Sequence, residues 1–356
     1  MKKSLLALAV LGAFAGAASA QSSVTIWGVV DLSANDIKNG SAHGQYLASN
    51  QLNSNRLGFR GIEDLGGGLK AGFWLEAGMN NATGYAGGGS GNVSNTDTPS
   101  GQLFNRRSTV SLISNAGELR LGRDYDPSFW NTVFFDVDGA NGLGQGLNLI
   151  SSLGSGATTI ARTNNSIGYF LPPNLGGFYG QAQVAAPQGV QGNKYYGGRI
   201  GFAAGPFDVA AGYGLTKTES VGGGNLSPEN FKMANIGASW DFGVAKLYGY
   251  YNRNTWGVRK QNVYDVSVGV PLGQGELRGV YAHADSSGGG TDANDANLYS
   301  IEYVYNLSKR TAIYGTAAQI KNKGAAAFSV LPGTSVAADL AGGKSTGFNL
   351  GVRHSF

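Results

Sequence analysis

From Val24 onward the chain alternates between apolar and polar positions. Val24, Ile26, Gly28, Val30 and Leu32 share one parity, and Thr25, Trp27, Val29 and Asp31 share the other. The same rhythm sets Leu57 and Phe59 against Arg56, Gly58 and Arg60. It then sets Leu69, Ala71, Phe73 and Leu75 against Lys70, Gly72, Trp74 and Glu76. A period of two belongs to a strand whose successive side chains point to opposite faces. Here one face is apolar and the other holds charges and glycines. A sandwich core rejects charges, whereas a wall with lipid outside and water inside wants them on one face. Sixteen such segments fit the chain, the first three near 23–35, 51–63 and 69–79 and the last near 346–356. The pattern predicts an all-β fold, a sixteen-stranded antiparallel transmembrane β-barrel, with no helical stretch.

The connections support the same architecture. Asn115-Ala116, Gly205-Pro206, Phe242-Gly243 and Leu272–Gly275 read as tight turns, and they alternate with long polar stretches such as 80–103, 217–230 and 322–345. Short turns at one end and long loops at the other characterise barrels of the outer membrane. Phe348, Leu350, Val352 and Phe356 are in phase, and this last strand is expected to pair with the first, since no strand edge can face lipid. One stretch breaks the rhythm. Residues 126–161, DPSFWNTVFFDVDGANGLGQGLNLISSLGSGATTIA, show no clear strand period over a length that compact domains reserve for functional loops.

Composition narrows the setting. Residues 1–20 have a basic start at Lys2-Lys3, an apolar stretch from Leu5 to Ala17 and a small-residue site at Ala18-Ser19-Ala20. They read as a signal peptide removed on export, leaving 21–356 as a single barrel domain. Without Lys2 and Lys3 the formal charge falls from +4 to +2 and no Lys/Arg-rich run remains, so nucleic acid is not an expected partner. Cysteine is absent, which excludes disulfides and thiolate metal sites. Beyond residue 20 no run of eighteen apolar residues offers a membrane helix. The glycine runs lack a phosphate-binding context, and no cofactor or metal is expected.

Parity places Arg56, Arg60, Lys70, Arg120 and Arg162 on polar strand faces. On a lipid face a charge costs about 2–4 kcal/mol near the midplane, so these belong to the lumen. Arg107 shares a face with Asn105 and Thr109, which turns Arg106 outward toward a rim or a subunit contact. His43, His283 and His354 are the chain's three histidines. His283 and Asp285 sit two apart on a strand, with no serine motif beside them, so a hydrolytic site is not expected. The tryptophans fit interfacial girdles or lumen filling.

SSVTIWGVVDLSA, NRLGFRGIEDLGGGLKAGFWLEAG, FNRRSTVSL, GELRLGRDYDP and the terminal GVRHSF resemble the general diffusion porins of Gram-negative outer membranes, especially β-proteobacterial, neisserial-type ones. The resemblance spans the mature chain. It implies an outer-membrane homotrimer passing ions and small hydrophilic solutes, with no enzymatic activity. It also implies that the third long loop, 126–161, folds inward to narrow the pore. Carried over by motif, Arg56, Arg107 and Arg162 form the basic side of a constriction, and Asp136 and Asp138 the acidic side. Further lining candidates are Arg60, Arg120, Arg123, Asp31 and Glu76. Three arginines against two aspartates imply a weak anion preference. Val29 stands where enteric relatives carry lysine, which shortens the basic ladder. Expected partners are other copies of the chain, outer-membrane lipids, and the barrel-assembly machinery through the strand ending in Phe356. A solute-specific channel, or a barrel hydrolase or adhesin, is the alternative; for the two aspartates it is a solvated or calcium-binding loop.

Overall fold

The computed structural model describes residues 23–86, 103–157, 159–187, 194–218, 229–332 and 339–356; the signal segment lies outside them. In chain order the strands are β1 (Ser23–Asn39), β2 (Ala42–Ser49), β3 (Arg56–Gly66), β4 (Leu69–Asn80), β5 (Tyr85–Ala86), β6 (Arg107–Ser114), β7 (Gly117–Tyr125), β8 (Arg162–Phe170) and β9 (Phe178–Ala185). They continue with β10 (Tyr195–Ala204), β11 (Phe207–Lys217), β12 (Asn230–Asp241), β13 (Lys246–Trp256), β14 (Arg259–Leu272), β15 (Gly275–Ser287), β16 (Ala296–Asn306), β17 (Thr311–Asn322) and β18 (Lys344–Ser355).

These segments make sixteen wall strands. β2 and β3 pair with the same edge of β1, Leu32–Asn39 against β2 and Ser23–Val29 against β3, so together they are one interrupted strand. β5 bridges only Met79 and Asn80 of β4, and β4 pairs directly with β6. Every pairing is antiparallel. β18 closes the wall on β1 from Val29↔Ser355 to Asn39↔Ser345, which leaves neither terminal strand with an open edge.

The second wall strand begins earlier than its alternation indicates. The tight turn at Gly40 (φ +57°) starts β2 at Ala42, in a stretch whose His43, Gly44 and Gln45 read as loop. The interruption before β3 is then pinned by Asp31. Its Oδ2 accepts from the Leu52 and Asn53 amides, both at 2.6 Å, while Asn55 bonds both the N–H and the C=O of Asp31. Tyr314 of β17 donates to the same carboxylate from across the barrel seam.

Outside, the parity rule holds. Ile26, Val110, Ile167, Ile200, Val266, Ile301 and Leu350 are exposed, as an apolar band facing lipid requires. Phe178–Phe202 and Phe207–Trp240–Phe242 form aromatic contacts beside the short turns, the position of an interfacial girdle. Inside, the two halves of the wall differ. β3, β4, β6 and β7 carry charges inward, whereas β15–β17, apart from the paired Arg278 and Glu302, turn Val280, Ala282, Ala284, Leu298 and Ile320 inward, all buried.

The 126–161 stretch covers that apolar half, and it contains a helix that alternation does not reveal. Pro127 presets the first helical position after extended Asp126, and α1 (Pro127–Phe134) buries Phe129, Asn131 and Thr132. A 3-10 turn follows at Gly146–Leu149. Phe135, Val137, Leu143, Leu147, Leu149 and Ile150 join the inward side chains of β15–β17 in one apolar cluster.

Candidate functional site

Hydrogen bonds fix the loop to the wall over most of its length. Asn131 Nδ2 donates to Asn235 Oδ1 (2.9 Å), and the Thr132 hydroxyl bonds the Tyr250 hydroxyl (2.7 Å). The Val137 amide donates to Ser267 Oγ (3.2 Å), and the Ser151 amide to Gln261 Oε1 (2.8 Å). Gly237 makes room for Phe135: a Cβ there would lie 2.7 Å from Phe135 Cβ and closer still to the ring. These anchors belong to β12–β14, so the loop lies against that side and faces β3–β8 across a gap.

A cavity of about 220 Å³ occupies this gap, and its wall side is basic. Arg56, Arg107 and Arg162, which are 106 residues apart in sequence from first to last, all line it. Arg107 lies over the Trp74 ring (4.5 Å) and bonds Thr109 Oγ1 (3.0 Å); its distance to Asp124 is 3.9 Å. Arg162 lies over the Tyr125 ring (4.1 Å), and its Nε has no acceptor. Arg56 Nε donates to the Ser54 carbonyl (2.9 Å), and its Nη1 is 3.5 Å from Glu76. Stacking on aromatic faces holds two of these guanidiniums in place, Arg107 with only a long contact to a carboxylate.

The fourth cation is Arg106, which alternation turns outward and the structure turns inward. Residue 106 precedes β6 in a bend, where strand parity does not apply. Its side chain is buried, with Nε 2.5 Å from Glu76 and Nη2 2.9 Å from the Tyr125 hydroxyl. Arg106 therefore engages Glu76 more closely than Arg56 does. Asp124 is likewise held by Arg120, at 2.5 Å. Four guanidiniums thus face the cavity with two carboxylates.

Asp136 and Asp138 are not on this side. Both are buried and point toward β14–β16. Asp136 accepts the amides of Asp138 (2.8 Å) and Gly146 (3.1 Å), and so staples the loop to itself. Asp138 lies 4.0 Å from Arg278, which is paired at 3.0 Å with Glu302. The cavity receives Gly139, Ala140 and Asn141 from the loop instead. The physical reason is backbone direction: Gly139 and Ala140 both take positive φ (+59° and +57°), a reversal that presents the loop's backbone to the arginines and turns the acids away. Burial pushes the Asp136 carboxyl up to about 6, against the pull of its amide donors. Burial, with Glu302, Asp136 and Asp265 nearby, holds Asp138 well above the usual carboxylate range. Among the described residues no acidic or histidine group is arranged to hold a metal ion.

The other lining candidates divide. Glu76 borders the cavity, bonded also by Trp74 Nε1 (3.0 Å). Arg60 stacks beyond it on Trp74 at 5.3 Å. Arg120 lies over Phe170 and bonds Glu118. Arg123 pairs opposite Ser108, on the face away from Thr109. It is held at a β-bulge by the Asn105 carbonyl and Asn164 (2.6 Å each), outside the cavity lining. Asp31 is fully buried in its bracing role. Inward arginines that escaped the sequence reading include Arg278, and Arg199, which bonds Asn131 of α1 (2.5 Å) and stacks on Tyr179. Parity would have found Arg199, which alternates with outward Ile200.

A model of the Gram-negative porin family matches residues 7–325. The chain is 40% identical to outer membrane porin protein 32 of Delftia acidovorans, and 30% identical to an outer-membrane porin of Bordetella pertussis, each over the whole of both chains. Its structure superposes on that of an anion-selective porin from Comamonas acidovorans with a TM-score of 0.82 and 35% identity, covering 94% of this chain and 100% of that one. The closed sixteen-stranded wall, the lipid-facing band and these matches establish that the chain belongs to the Gram-negative porin family, as a non-enzymatic outer-membrane channel for passive diffusion.

Proposed function

We propose that Arg56, Arg106, Arg107 and Arg162, facing the loop across a narrow gap, form the constriction of this channel and make it prefer anions. The carrying observation is the imbalance at the gap, four guanidiniums to two carboxylates, with the loop's own aspartates directed elsewhere. In a narrow passage between low-dielectric walls the local charge decides which ions accumulate. The anion-selective Comamonas relative supports this reading. Reversal potentials in a KCl gradient test it. The parent channel should favour chloride and Arg56→Ala should move toward cation preference; a cation-preferring parent, or an unmoved mutant, would overturn it.

The same reading includes export and assembly. Residues 1–20 are cleaved, and the strand ending in Phe356 addresses the barrel-assembly machinery. Lipid covers the apolar band. A hollow of about 950 Å³ in the outer wall, rimmed by Leu47, Ile301, Phe348 and Leu350, supports contact with a neighbouring copy in a trimer. Conductance that closes in three equal steps would report that assembly.

A further inference from the structure

The arginine cavity has a second character that a pathway for inorganic anions does not need. Much of its loop side is apolar: beside the Gly139–Asn141 reversal, Phe129, Trp130, Val133, Ala140, Leu147 and Ala161 line it. Water and chloride gain nothing from such a surface. Two donors at the boundary between the halves, Arg162 Nε and Trp130 Nε1, have no acceptor in the structure. An unsatisfied buried donor is costly, and an incoming acceptor relieves that cost. The volume, about 220 Å³, falls below the ~300–1,000 Å³ of sites for drug-sized ligands, which fits a small molecule.

We infer that this cavity is a binding site for small organic monocarboxylates with an apolar body, such as an aromatic acid, rather than only a passage for inorganic anions. The carboxylate would sit among Arg56, Arg107 and Arg162, whose fork geometry suits it. The apolar body would lie against Val133 and Leu147. A second carboxylate at the far end would be driven into that apolar surface without a partner, so diacids of equal size should bind less well. This inference rests on the anion-preferring reading above and adds the ligand class.

Block of single-channel chloride current by added acids provides the test. Benzoate should block on the order of tenfold more strongly than acetate, as one well-filled apolar contact allows, and more strongly than phthalate. Benzyl alcohol, which lacks the charge, should not block. Val133→Asn should collapse the benzoate-to-acetate ratio toward one, and because the ratio is taken within one channel, a general change in conductance cancels. Leu147→Asn should do the same from the other side of the apolar surface. Equal block by benzoate and acetate in a channel that still favours chloride would overturn this inference and leave the selectivity reading intact. Equal ratios in parent and both variants would overturn it too. A parent without chloride preference would instead remove the reading on which it rests.

Discussion

Replacing Gly237 by alanine adds one methyl group at a point where the loop packs closely on the wall. The new Cβ would stand 2.7 Å from Phe135 Cβ and nearer still to ring carbons. Ordinary carbon contacts begin near ~3.5 Å, so roughly 1 Å of extra separation is needed. Phe135 cannot supply it by swinging into free space, because its side chain is fully buried in the loop's apolar cluster. β12 cannot supply it either, being paired with β11 and β13 along its length. The end of α1 must therefore move toward the arginine wall, straining the Thr132–Tyr250 hydrogen bond beside it. Overpacking of this kind costs about 1–3 kcal/mol. Thermal unfolding in detergent should show the loss, and single-channel conductance should fall as the gap narrows. Gly237→Ala combined with Phe135→Leu should recover part of both, a coupling of about 0.5–3 kcal/mol for residues in contact. If Gly237→Ala unfolds at the parent temperature with the parent conductance, the loop is not seated against β12 and the account of the gap is wrong.

Two further outcomes follow from the charges. Glu76→Gln removes a carboxylate from the cavity and leaves Arg56 and Arg106 uncompensated, so chloride preference should rise in a salt-gradient measurement; a shift toward potassium would contradict the placement. Asp136 titrates near 6 in the folded loop, above its ordinary value of 3.8, so its protonated form is the one the fold favours. Its contribution is complete below about pH 4 and is lost as pH rises through about 6. Current noise from loop motion should therefore grow across that window, and Asp136→Asn should flatten the dependence; a pH-independent parent would count against it.

Strand number, closure and the inward faces of Arg56, Arg107 and Arg162 could be read from the chain, because period-two parity survives in sequence and fixes which face a side chain takes; that the three meet at one gap was implied by the family resemblance alone. Arg106 could not, since it lies one residue before β6, where a bend replaces the strand and parity lapses. The aspartates were misdirected for a related reason. Their orientation depends on positive φ at Gly139 and Ala140, and Ala140 gives no sequence sign of it. α1 was hidden because its eight residues, Pro127–Phe134, are too few to show a helical period over the 11–18 residues such a pattern needs. The loop's apolar residues read as a break in pattern, when they were matched to the inward Ala282, Leu298 and Ile320 on strands far along the chain.

That matching bears on how the channel could be engineered or assembled. Apart from the Arg278–Glu302 pair, the inner side of β15–β17 near the loop is largely apolar, as their lipid side is. Cutting out residues 126–161 would therefore not yield a wider version of the same pore. It would wet Val280, Ala282, Ala284, Leu298 and Ile320 together, a greasy patch across three strands open to water. The loop behaves as an inner lining, and the apolar patch of the wall behind it is covered only while that lining is in place.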